Sequence, residues 1–561
     1  MIGPKTEFAK NLTQDRLCQP TEGFAASMGR IATALAPDMH SRVQLHEALL
    51  NQRFIPGERI QRYLGVRDDN IALSGVMSGE VFDNFGSALD RAEQAAEIFR
   101  AGGRVGIDFT ELRPRGDRIF RGGNRSAGPV SIMSFFSAVR QCFSNVEPAN
   151  GALTATLRID HPDIMEFILA KQNVHGCDAF RTVVGVTDEF MTALANGKKF
   201  DLRWGGHVYS TVDPAEIWEM LMQSVWAWSE PQVLFLDTVN RRNSLGYKEN
   251  ITALSPVGEQ PIAAFGSSVL GNLNLTKYLC VDNTEFDYYA FERDIHVAVR
   301  ALDCALDVIH HPTDIHRLVK DRKRPIGLGV TGLANTIESL GAPYGSQEFL
   351  TWTVSLLSFL TNNAYRASIE LSRELGPFDD LNRELFLKPG TFAAGLPEDI
   401  RHGIMRHGIR NSRLTCIYPC SLTSLAADNV SQGIEPVTDI MSRRVVNTPQ
   451  GPLRVDVPDY GQLFLGTTPK VLADCTPEDH MEVFLAASRN VDGGVTKSIV
   501  VTPDTDWCDF QAIFVRAWEG GAKNCAVYQT ESRRFGILQR PEDAAACYVD
   551  PKKPGRADDD E

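Results

Sequence analysis

A hydroxyl-rich segment in the C-terminal half of the chain has the composition of a phosphate-binding loop. It reads Pro419-Cys420-Ser421-Leu422-Thr423-Ser424 and separates a strand-like apolar run at 414–418 from a helix-like start at Leu425. Hydroxyl groups and the N–H groups of a first helical turn are suited to bind phosphate. The same residues could serve only as a helix N-cap. On the residues alone, both interpretations stay open.

Two segments that combine glycine with arginine could also contact an anion. Residues 102–106 read Gly-Gly-Arg-Val-Gly and place Arg104 directly before a strand-like run. Residues 121–129, which follow the basic segment 113–117, read Arg-Gly-Gly-Asn-Arg-Ser-Ala-Gly-Pro. Glycine lets the backbone approach a ligand closely, and exposed N–H groups bind phosphate. The packing of flexible loops explains the same residues equally well.

A third motif, residues 327–332, fits the pattern G-x-G-x-x-G of dinucleotide-binding loops. Such a loop should follow a strand directly and have an acidic residue about 20 positions later. Here a basic stretch at 320–324 and Pro325 come first. We therefore interpret these glycines as close packing at a corner between a strand and a helix.

Histidines near residue 310 raise the question of a metal site. His310, His311, Asp314 and His316 are close in sequence, but no second ligand pair of recognisable spacing accompanies them. We predict no metal site, and solvated or helix-capping histidines instead.

Composition narrows the class of protein. The 561 residues are 43% hydrophobic and 23% charged, which is typical of a globular enzyme, and the net charge of −14 disfavours duplex nucleic acid. The 11 cysteines are scattered without a C-x-x-C pair, which indicates reduced thiols. No apolar run is long enough to span a bilayer, and the N-terminus has no apolar core of a signal sequence. We predict a cytoplasmic protein without membrane partners.

Short apolar runs alternate with helical patterns from about residue 96 onward. This alternation predicts an α/β domain with a mostly parallel sheet over 96–535. A mostly helical region is predicted for 1–95, and a flexible tail for 536–561. About ten strand–helix units favour a large barrel or a doubled sheet. The predicted strands lie near 105–109, 153–159, 181–186, 233–236, 414–418, 462–465, 497–501 and 525–528.

Eight stretches, in order along the chain, resemble the catalytic chain of ribonucleotide reductases, most closely the adenosylcobalamin-dependent class. They are Gly106–Phe109 with Leu112–Asp117, Ala127–Ser131, Leu157–Asp163, Gly185–Phe190, Gly258–Pro261, Leu270-Gly271 with Asn274-Leu275, Gly327–Ala334, and Ala427–Ser431 with Gly433–Pro436. The resemblance implies a ten-stranded α/β barrel, adenosylcobalamin as cofactor and nucleotides as substrate or effector. In this family a cysteine on a central loop forms a thiyl radical, an acid on that loop is the general base, and two further cysteines supply electrons.

The central loop departs from the family pattern at the radical position. The family reads Asn-Pro-Cys-Gly-Glu-Gln, whereas this chain reads Ser255-Pro256-Val257-Gly258-Glu259-Gln260. Glu259 keeps the general base, but Val257 stands where the radical cysteine belongs. Valine has no weak S–H bond and cannot form a thiyl radical.

The reducing pair and the substrate loops depart as well. By resemblance the two redox cysteines fall at Ile71, directly after Asn70, and at Ser268, so both are absent. Arg104 replaces the third glycine of a Gly-Gly-Gly turn, and Ala149-Asn150 replaces an arginine pair. The phosphate loop Pro-Thr-Gly-Thr-Ile-Ser corresponds to residues 419–424. We predict that Asn70, Arg104 and the loop 419–424 contact the substrate.

These departures favour a family member that binds nucleotides without reducing them, either as a pseudoenzyme or as the partner of another reductase chain in a homo- or hetero-oligomer. An alternative is a different radical reaction that uses a relocated thiol such as Cys420, although a buried small hydrophobic role suits that residue better. Ordinary adenosylcobalamin-dependent reduction and a non-enzymatic scaffold stay open. The sequence does not decide whether the cofactor is retained.

Overall fold

The computed structural model describes residues 2–66, 73–119, 124–143, 152–173, 177, 179–256, 260–418, 420–448 and 451–532. Several predicted site residues lie outside these ranges, namely Asn70, Ile71, Val257, Glu259 and Pro419. The substituted pair Ala149-Asn150 and the predicted tail 536–561 also lie outside them.

Helices form most of the outer layer. In chain order they are α1 (Glu7–Arg16), α2 (Phe24–Leu35), α3 (Met39–Leu50), α4 (Glu58–Tyr63), α5 (Phe85–Arg100), α6 (Pro129–Phe143), α7 (Ile164–Ile168), α8 (Ala170–Asn173), α9 (Asp188–Ala195), α10 (Pro214–Trp228), α11 (Leu236–Arg242), α12 (Tyr288–Val308), α13 (Asp314–Lys323), α14 (Leu333–Ser339), α15 (Gln347–Leu375), α16 (Arg383–Phe386), α17 (Glu398–His407), α18 (Ser421–Ala426), α19 (Pro477–Asn490) and α20 (Trp507–Glu519).

Strands form the interior and two surface hairpins. They are β1 (Phe54–Pro56), β2 (Gly75–Met77), β3 (Val105–Asp108), β4 (Leu153–Arg158), β5 (Phe180–Val186), β6 (Phe200–Trp204), β7 (His207–Val212), β8 (Gln232–Phe235), β9 (Ser267–Ser268), β10 (Leu270–Asn274), β11 (Gly327–Thr331), β12 (Met441–Thr448), β13 (Gly451–Pro458), β14 (Ser498–Val501) and β15 (Asn524–Gln529).

The largest sheet contains eight strands in the order β14-β15-β8-β5-β4-β3-β2-β9. Strands β2, β3, β4, β5 and β8 run parallel to one another. Strand β15 is antiparallel to β8, and β9 is antiparallel to β2. The central strands are buried on both faces, as expected for parallel strands covered by helices, and their sequences combine apolar residues with glycine, threonine and a few charged residues.

A second sheet contains β1, β10 and β11, with β10 parallel to β11. Only Val269 separates β9 of the first sheet from β10 of the second. Single parallel bridges connect Leu328 to Thr415 and Ile417 to Val495, so the segment 415–417 runs between β11 and the approach to β14. The two sheets are therefore linked at both edges.

The α/β architecture with a large, mostly parallel sheet is as predicted, but the strand predicted near 462–465 is wrong. Residues 462–465 belong to a turn of π-helix over Gly461–Leu465 instead of a strand. Within the region 1–95, strand β2 joins the main sheet beside β3. The antiparallel hairpins β6–β7 and β12–β13 were not predicted, because their strands are exposed or short and lack apolar runs. In the described ranges, no helix combines the length and the apolar character needed to cross a membrane.

Candidate active site

The segment predicted to carry the catalytic loop forms two sides of a narrow hairpin, which we call the loop stem (residues 254–256 and 260–261). Leu254 and Pro261 form an antiparallel bridge. The Ser255 N–H donates to the Gln260 carbonyl at 2.9 Å, and the Gln260 N–H donates to Ser255 Oγ at 3.4 Å. Ser255 and Gln260 are buried. Val257 and Glu259 fall in the sequence between these two sides.

Glycines of both sheets allow the loop stem to pass between them. A Cβ atom at Gly75 would lie 2.9 Å from Pro256 Cδ, and one at Gly106 would lie 2.9 Å from the Leu254 carbonyl oxygen. On the other side, a Cβ atom at Gly327 would lie 2.5 Å from Gln260 Nε2. The loop stem is therefore enclosed by β2 and β3 on one side and by β11 on the other.

A buried charge cluster holds the base of the loop stem. Arg413 pairs with Glu249 and donates a hydrogen bond to the Pro261 carbonyl at 2.7 Å. Lys323 donates to Glu249 at 2.6 Å. Burial alone would raise the pKa of Glu249, but the positive charges of Arg413 and Lys323 outweigh it and lower that pKa. The carboxylate is therefore held in its ionised form.

The β2–β9 pair contains one of the two predicted redox positions. Ser268 lies opposite Gly75 in the antiparallel register, and Ser267 lies opposite Val76. Cysteines that form a disulfide need Cα atoms within about 4.4–6.8 Å, which is the separation of residues facing each other across such a pair. Ser74 directly precedes Gly75 and approaches Gly57, where a Cβ would lie 3.4 Å from Ser74 Oγ. Sequence reasoning did not single out Ser74.

The predicted phosphate loop presents fewer free hydroxyl groups than expected. Thr423 Oγ1 donates to the Cys420 carbonyl at 3.1 Å, and Ser424 Oγ donates to the Val430 carbonyl. Both side chains are buried. Ser421 is exposed and donates to the side-chain oxygen of Gln432 at 2.7 Å. Ser421 is therefore the hydroxyl of this loop that solvent reaches, while Leu422 is partly exposed.

Cys420 of this loop and Cys416, which precedes the loop, form an apolar cluster with Leu270 and Tyr418. Cys420 directly precedes α18, and its Sγ lies 3.5 Å from Thr331 Oγ1. Burial raises the pKa of the Cys420 thiol. Cys416 is fully buried, and its Sγ lies 2.7 Å from the position of a Cβ on Gly327. Both cysteines pack as small apolar side chains.

Arg104 is engaged with another protein side chain. Its guanidinium pairs with the Glu58 carboxylate of α4 at 2.9 Å, and its side chain is 19% exposed. Helix α4 follows β1, and residues Pro56 and Gln61 line a small cavity together with Thr423 of α18. Arg104 does not line this cavity, and its charge is paired with the Glu58 carboxylate.

The glycines of the G-x-G-x-x-G motif pack as predicted. Residues 327–331 form β11, and Gly332, with a φ of +77°, begins α14. A Cβ at Gly329 would lie 2.5 Å from the Cys416 carbonyl oxygen. This close approach requires glycine and explains the motif without a dinucleotide.

Of the three histidines near residue 310, His311 and His316 are buried beside strands, whereas His310 is exposed. His316 makes a 2.9 Å hydrogen bond with the Met77 carbonyl of β2, and His311 lies 3.5 Å from Ser267 Oγ of β9. Burial lowers the pKa of both side chains to about 4. Among the side chains that the structure describes, no group of three or more His, Cys, Asp or Glu residues is arranged to hold a metal ion.

Comparison with known proteins agrees with this arrangement. A family model described as the barrel domain of ribonucleotide reductase matches residues 76–457, which is more than half of the chain. The chain belongs to the ribonucleotide reductase family. The matched region contains β2, the loop stem, β11 and α18, so the elements around the candidate site are those of the family domain.

Similar curated proteins are vitamin B12-dependent reductases. One is the vitamin B12-dependent ribonucleoside-diphosphate reductase of Mycobacterium tuberculosis, which is 29% identical over 94% of this chain and 79% of the relative. The protein of the same name from Thermoplasma acidophilum is 27% identical over 95% of this chain and 72% of the relative. The vitamin B12-dependent ribonucleotide reductase of Streptomyces clavuligerus is 24% identical over 90% of this chain and 63% of the relative. The similarity is to the adenosylcobalamin-dependent class.

Proposed function

We propose that this protein binds nucleotides in the reductase barrel but does not itself reduce ribonucleotides to deoxyribonucleotides. The single observation that carries the proposal is Val257 at the radical position of a loop that keeps four of the six family residues. The other difference is Ser255 in place of asparagine. Hydrogen abstraction from ribose needs an acceptor that forms a bond of matching strength. A thiyl radical meets this need, and the C–H bonds of valine do not.

The second part of the proposal concerns electrons. Reduction of the 2′ position releases water and oxidises two thiols to a disulfide. By resemblance the redox positions are Ser268 and Ile71, and neither residue carries a thiol. Serine can donate a proton but cannot form a disulfide. Glu259 can then act only as a base, in a reaction that lacks both its initiator and its reductant.

Nucleotide binding is proposed at the N-terminal turn of α18. The N–H groups of a first helical turn have no partner within the helix, and Ser421 adds an exposed hydroxyl. Asn70, Pro419 and Leu422 belong to the proposed contact surface by resemblance. Arg104 supports this surface indirectly, through Glu58, instead of binding the phosphate itself.

We further infer that the two sheets close into the ten-stranded barrel of the family. The ring would contain β2, β3, β4, β5, β8, β15, β14, the segment 415–417, β11 and the β9–β10 stretch. The first five strands of this ring are parallel to one another, and β15, which is parallel to β14, runs antiparallel to them. The single bridges at 415 and 417 also support the ring. The loop stem would pass through its centre.

The names of the relatives support adenosylcobalamin as the cofactor of this group. In the family the cofactor supplies the radical that the loop cysteine receives. The residues of this chain do not fit that chemistry, because position 257 offers no thiol. We therefore assign no reaction step to the cofactor and treat its binding as a separate question for experiment.

A second candidate function is reduction initiated by a relocated thiol. Cys416 favours it, because Gly327 approaches both the Cys416 sulfur and Gln260 of the loop stem. In this candidate the Cys416 thiol would give up one hydrogen atom and later regain it. An added dithiol would supply both electrons and become a disulfide. Cys420 suits this role less well, because its sulfur faces Thr331 Oγ1 at 3.5 Å.

The test combines binding with turnover. Calorimetry with nucleoside di- and triphosphates should show binding, and the absence of heat at millimolar ligand would contradict the proposal. With adenosylcobalamin and dithiothreitol, neither the wild type nor Val257→Cys should form deoxynucleotide, because the reducing pair is still missing. Product from the wild type that disappears in Cys416→Ser would establish the relocated thiol. If the protein is the partner of another reductase chain, the two chains should form a hetero-oligomer. Mixing them should then change the reductase activity of the other chain.

A further inference from the structure

Residues near the start of the chain are bound to the turn that follows α18. The Asp428 carboxylate accepts hydrogen bonds from the Lys5 N–H at 2.9 and 3.0 Å and from the Thr6 N–H at 2.7 Å. Thr6 Oγ1 donates to the same carboxylate at 2.9 Å. Asp428 is 2% exposed, so these protein donors replace its hydration.

The same threonine begins α1. Thr6 Oγ1 accepts a hydrogen bond from the Ala9 N–H at 3.2 Å and is the N-cap of α1. A carboxylate beside a helix N-terminus is electrostatically favourable. Helix α1 in turn packs against α18, and Gln52 donates to the Ala426 carbonyl at the end of α18 at 3.1 Å. The N-terminal layer thus contacts α18 at several points.

The backbone at this turn is strained. Asp428 and Asn429 have φ values of +65° and +61°, and side chains with a Cβ rarely adopt this region. Strain of this kind persists only where surrounding contacts hold it, and it concentrates at functional sites. Here the contacts are the Asp428 carboxylate, the Asn429 amide that donates to the Pro458 carbonyl at 3.0 Å, and the Tyr460 N–H that donates to the Asn429 carbonyl.

We propose that Asp428 is a positioning residue for the nucleotide phosphate, since it ties the N-terminal segment to α18 and so fixes the turn that presents Ser421. This inference rests on the proposed nucleotide binding by the loop 419–424. If the tie is weakened, the strained turn can relax and α18 can shift. The phosphate contacts should weaken more than contacts to the base or sugar, because only the phosphate is held by α18.

The experiment compares two threonine N-caps. Thr6→Ala removes the hydroxyl that bridges Ala9 and Asp428, and Thr6→Ser keeps it. Thr187→Ala is the matched control, because Thr187 caps α9 by accepting from the Phe190 N–H at the same 3.2 Å distance and takes no part in this cluster. Calorimetry well below the unfolding midpoint measures the Kd of CDP, ADP, UDP and GDP and of the four nucleosides.

Thr6→Ala should raise the Kd of the diphosphates by about five- to tenfold, which corresponds to the loss of one or two hydrogen bonds, and leave the nucleoside Kd unchanged. Thr6→Ser should restore wild-type values, and Thr187→Ala should change neither. Equal effects of Thr6→Ala and Thr187→Ala, or an unchanged diphosphate Kd in Thr6→Ala, would overturn the inference.

Amide hydrogen exchange separates this inference from the proposed function. Exchange over residues 420–430 should become faster in Thr6→Ala and stay unchanged in Thr187→Ala. If the wild type binds no nucleotide, the proposed function and the phosphate part of the inference both fail, while faster exchange still supports the tie between Asp428 and α18. Unchanged exchange in Thr6→Ala overturns that tie as well.

Discussion

The loop stem and the predicted phosphate loop are held in place by different kinds of contact. The loop stem is held by backbone approach through Gly75, Gly106 and Gly327, where even a methyl group would overlap a neighbour. The phosphate loop is held by side chains that bond to its own backbone, as Thr423 and Ser424 do. Packing of the first kind tolerates almost no change in the walls of the stem.

The largest effect is expected where the loop stem meets its walls. Gly106→Val should remove most folded protein, because its Cβ alone would lie 2.6 Å from Met77 Sδ and 2.9 Å from the Leu254 oxygen. Overpacking of this kind costs about 1–3 kcal/mol, and occasionally more, in a rigid core. Gly395→Ala is the control, since nothing lies within 4 Å of its Cβ position. Soluble yield and thermal unfolding measure both, and a stable Gly106→Val protein would contradict the comparison.

The charge cluster at the base of the loop stem should give the next largest effect. Glu249→Gln leaves Arg413 and Lys323 without their carboxylate and should lower the free energy of unfolding by about 3 kcal/mol. Asp456→Asn, which breaks an exposed pair with Arg443, should cost less than about 1 kcal/mol. Denaturant titration compares the two, and equal costs would show that the cluster does not support the stem.

The same cluster predicts a dependence on acid pH. The pKa of Glu249 is lowered in the folded protein, so its stabilising contribution is complete above the unfolded value of 4.5 and is lost as the pH falls through the folded value. The difference in unfolding free energy between the wild type and Glu249→Gln should therefore shrink as the pH is lowered below about 4.5.

Glu338, on α14, should give a smaller dependence of stability on pH, with the opposite sign. Burial raises the pKa of Glu338 to about 7, although its Oε1 accepts hydrogen bonds from the Tyr344 and Lys470 N–H groups. Stability should therefore fall as the pH rises from about 4.5 to 7, by on the order of 2 kcal/mol. Glu338→Gln should remove this slope in chemical denaturation between pH 5 and 7. A parallel profile in the variant would refute the assignment.

The smallest effects are expected for the exposed hydroxyl of Ser421 and the buried hydroxyl of Thr423 in the predicted phosphate loop. Ser421→Ala should weaken nucleotide binding about threefold and leave thermal stability unchanged, because Ser421 is exposed. Thr423→Ala should lower stability by about 1 kcal/mol through loss of its hydrogen bond to the Cys420 carbonyl. Calorimetry should show weaker nucleotide binding in Ser421→Ala, and thermal unfolding should show lower stability in Thr423→Ala.

Much of the fold could be predicted from the sequence. The predicted bounds of the buried parallel strands β4 and β5 agree with the observed ones within two residues. The segment 462–465, with three apolar residues after Gln462, forms a π-helical turn beside α14, because so short an apolar run does not specify its backbone. The hairpin β12–β13 carries charges along its strands and gave no apolar signal.

The sequence by itself determined the family, the valine at position 257 and the serine at position 268, because these depend on residue identity within recognisable stretches. Only the tertiary structure decided which of the predicted side chains already have partners within the protein. It turns Thr423 and Ser424 inward, pairs Arg104 with Glu58, places Gly75 opposite Ser268 and binds Asp428 to Lys5 and Thr6. Each of these contacts joins residues through packing or hydrogen-bond direction, and most join residues distant in the chain, so composition and spacing could not reveal them.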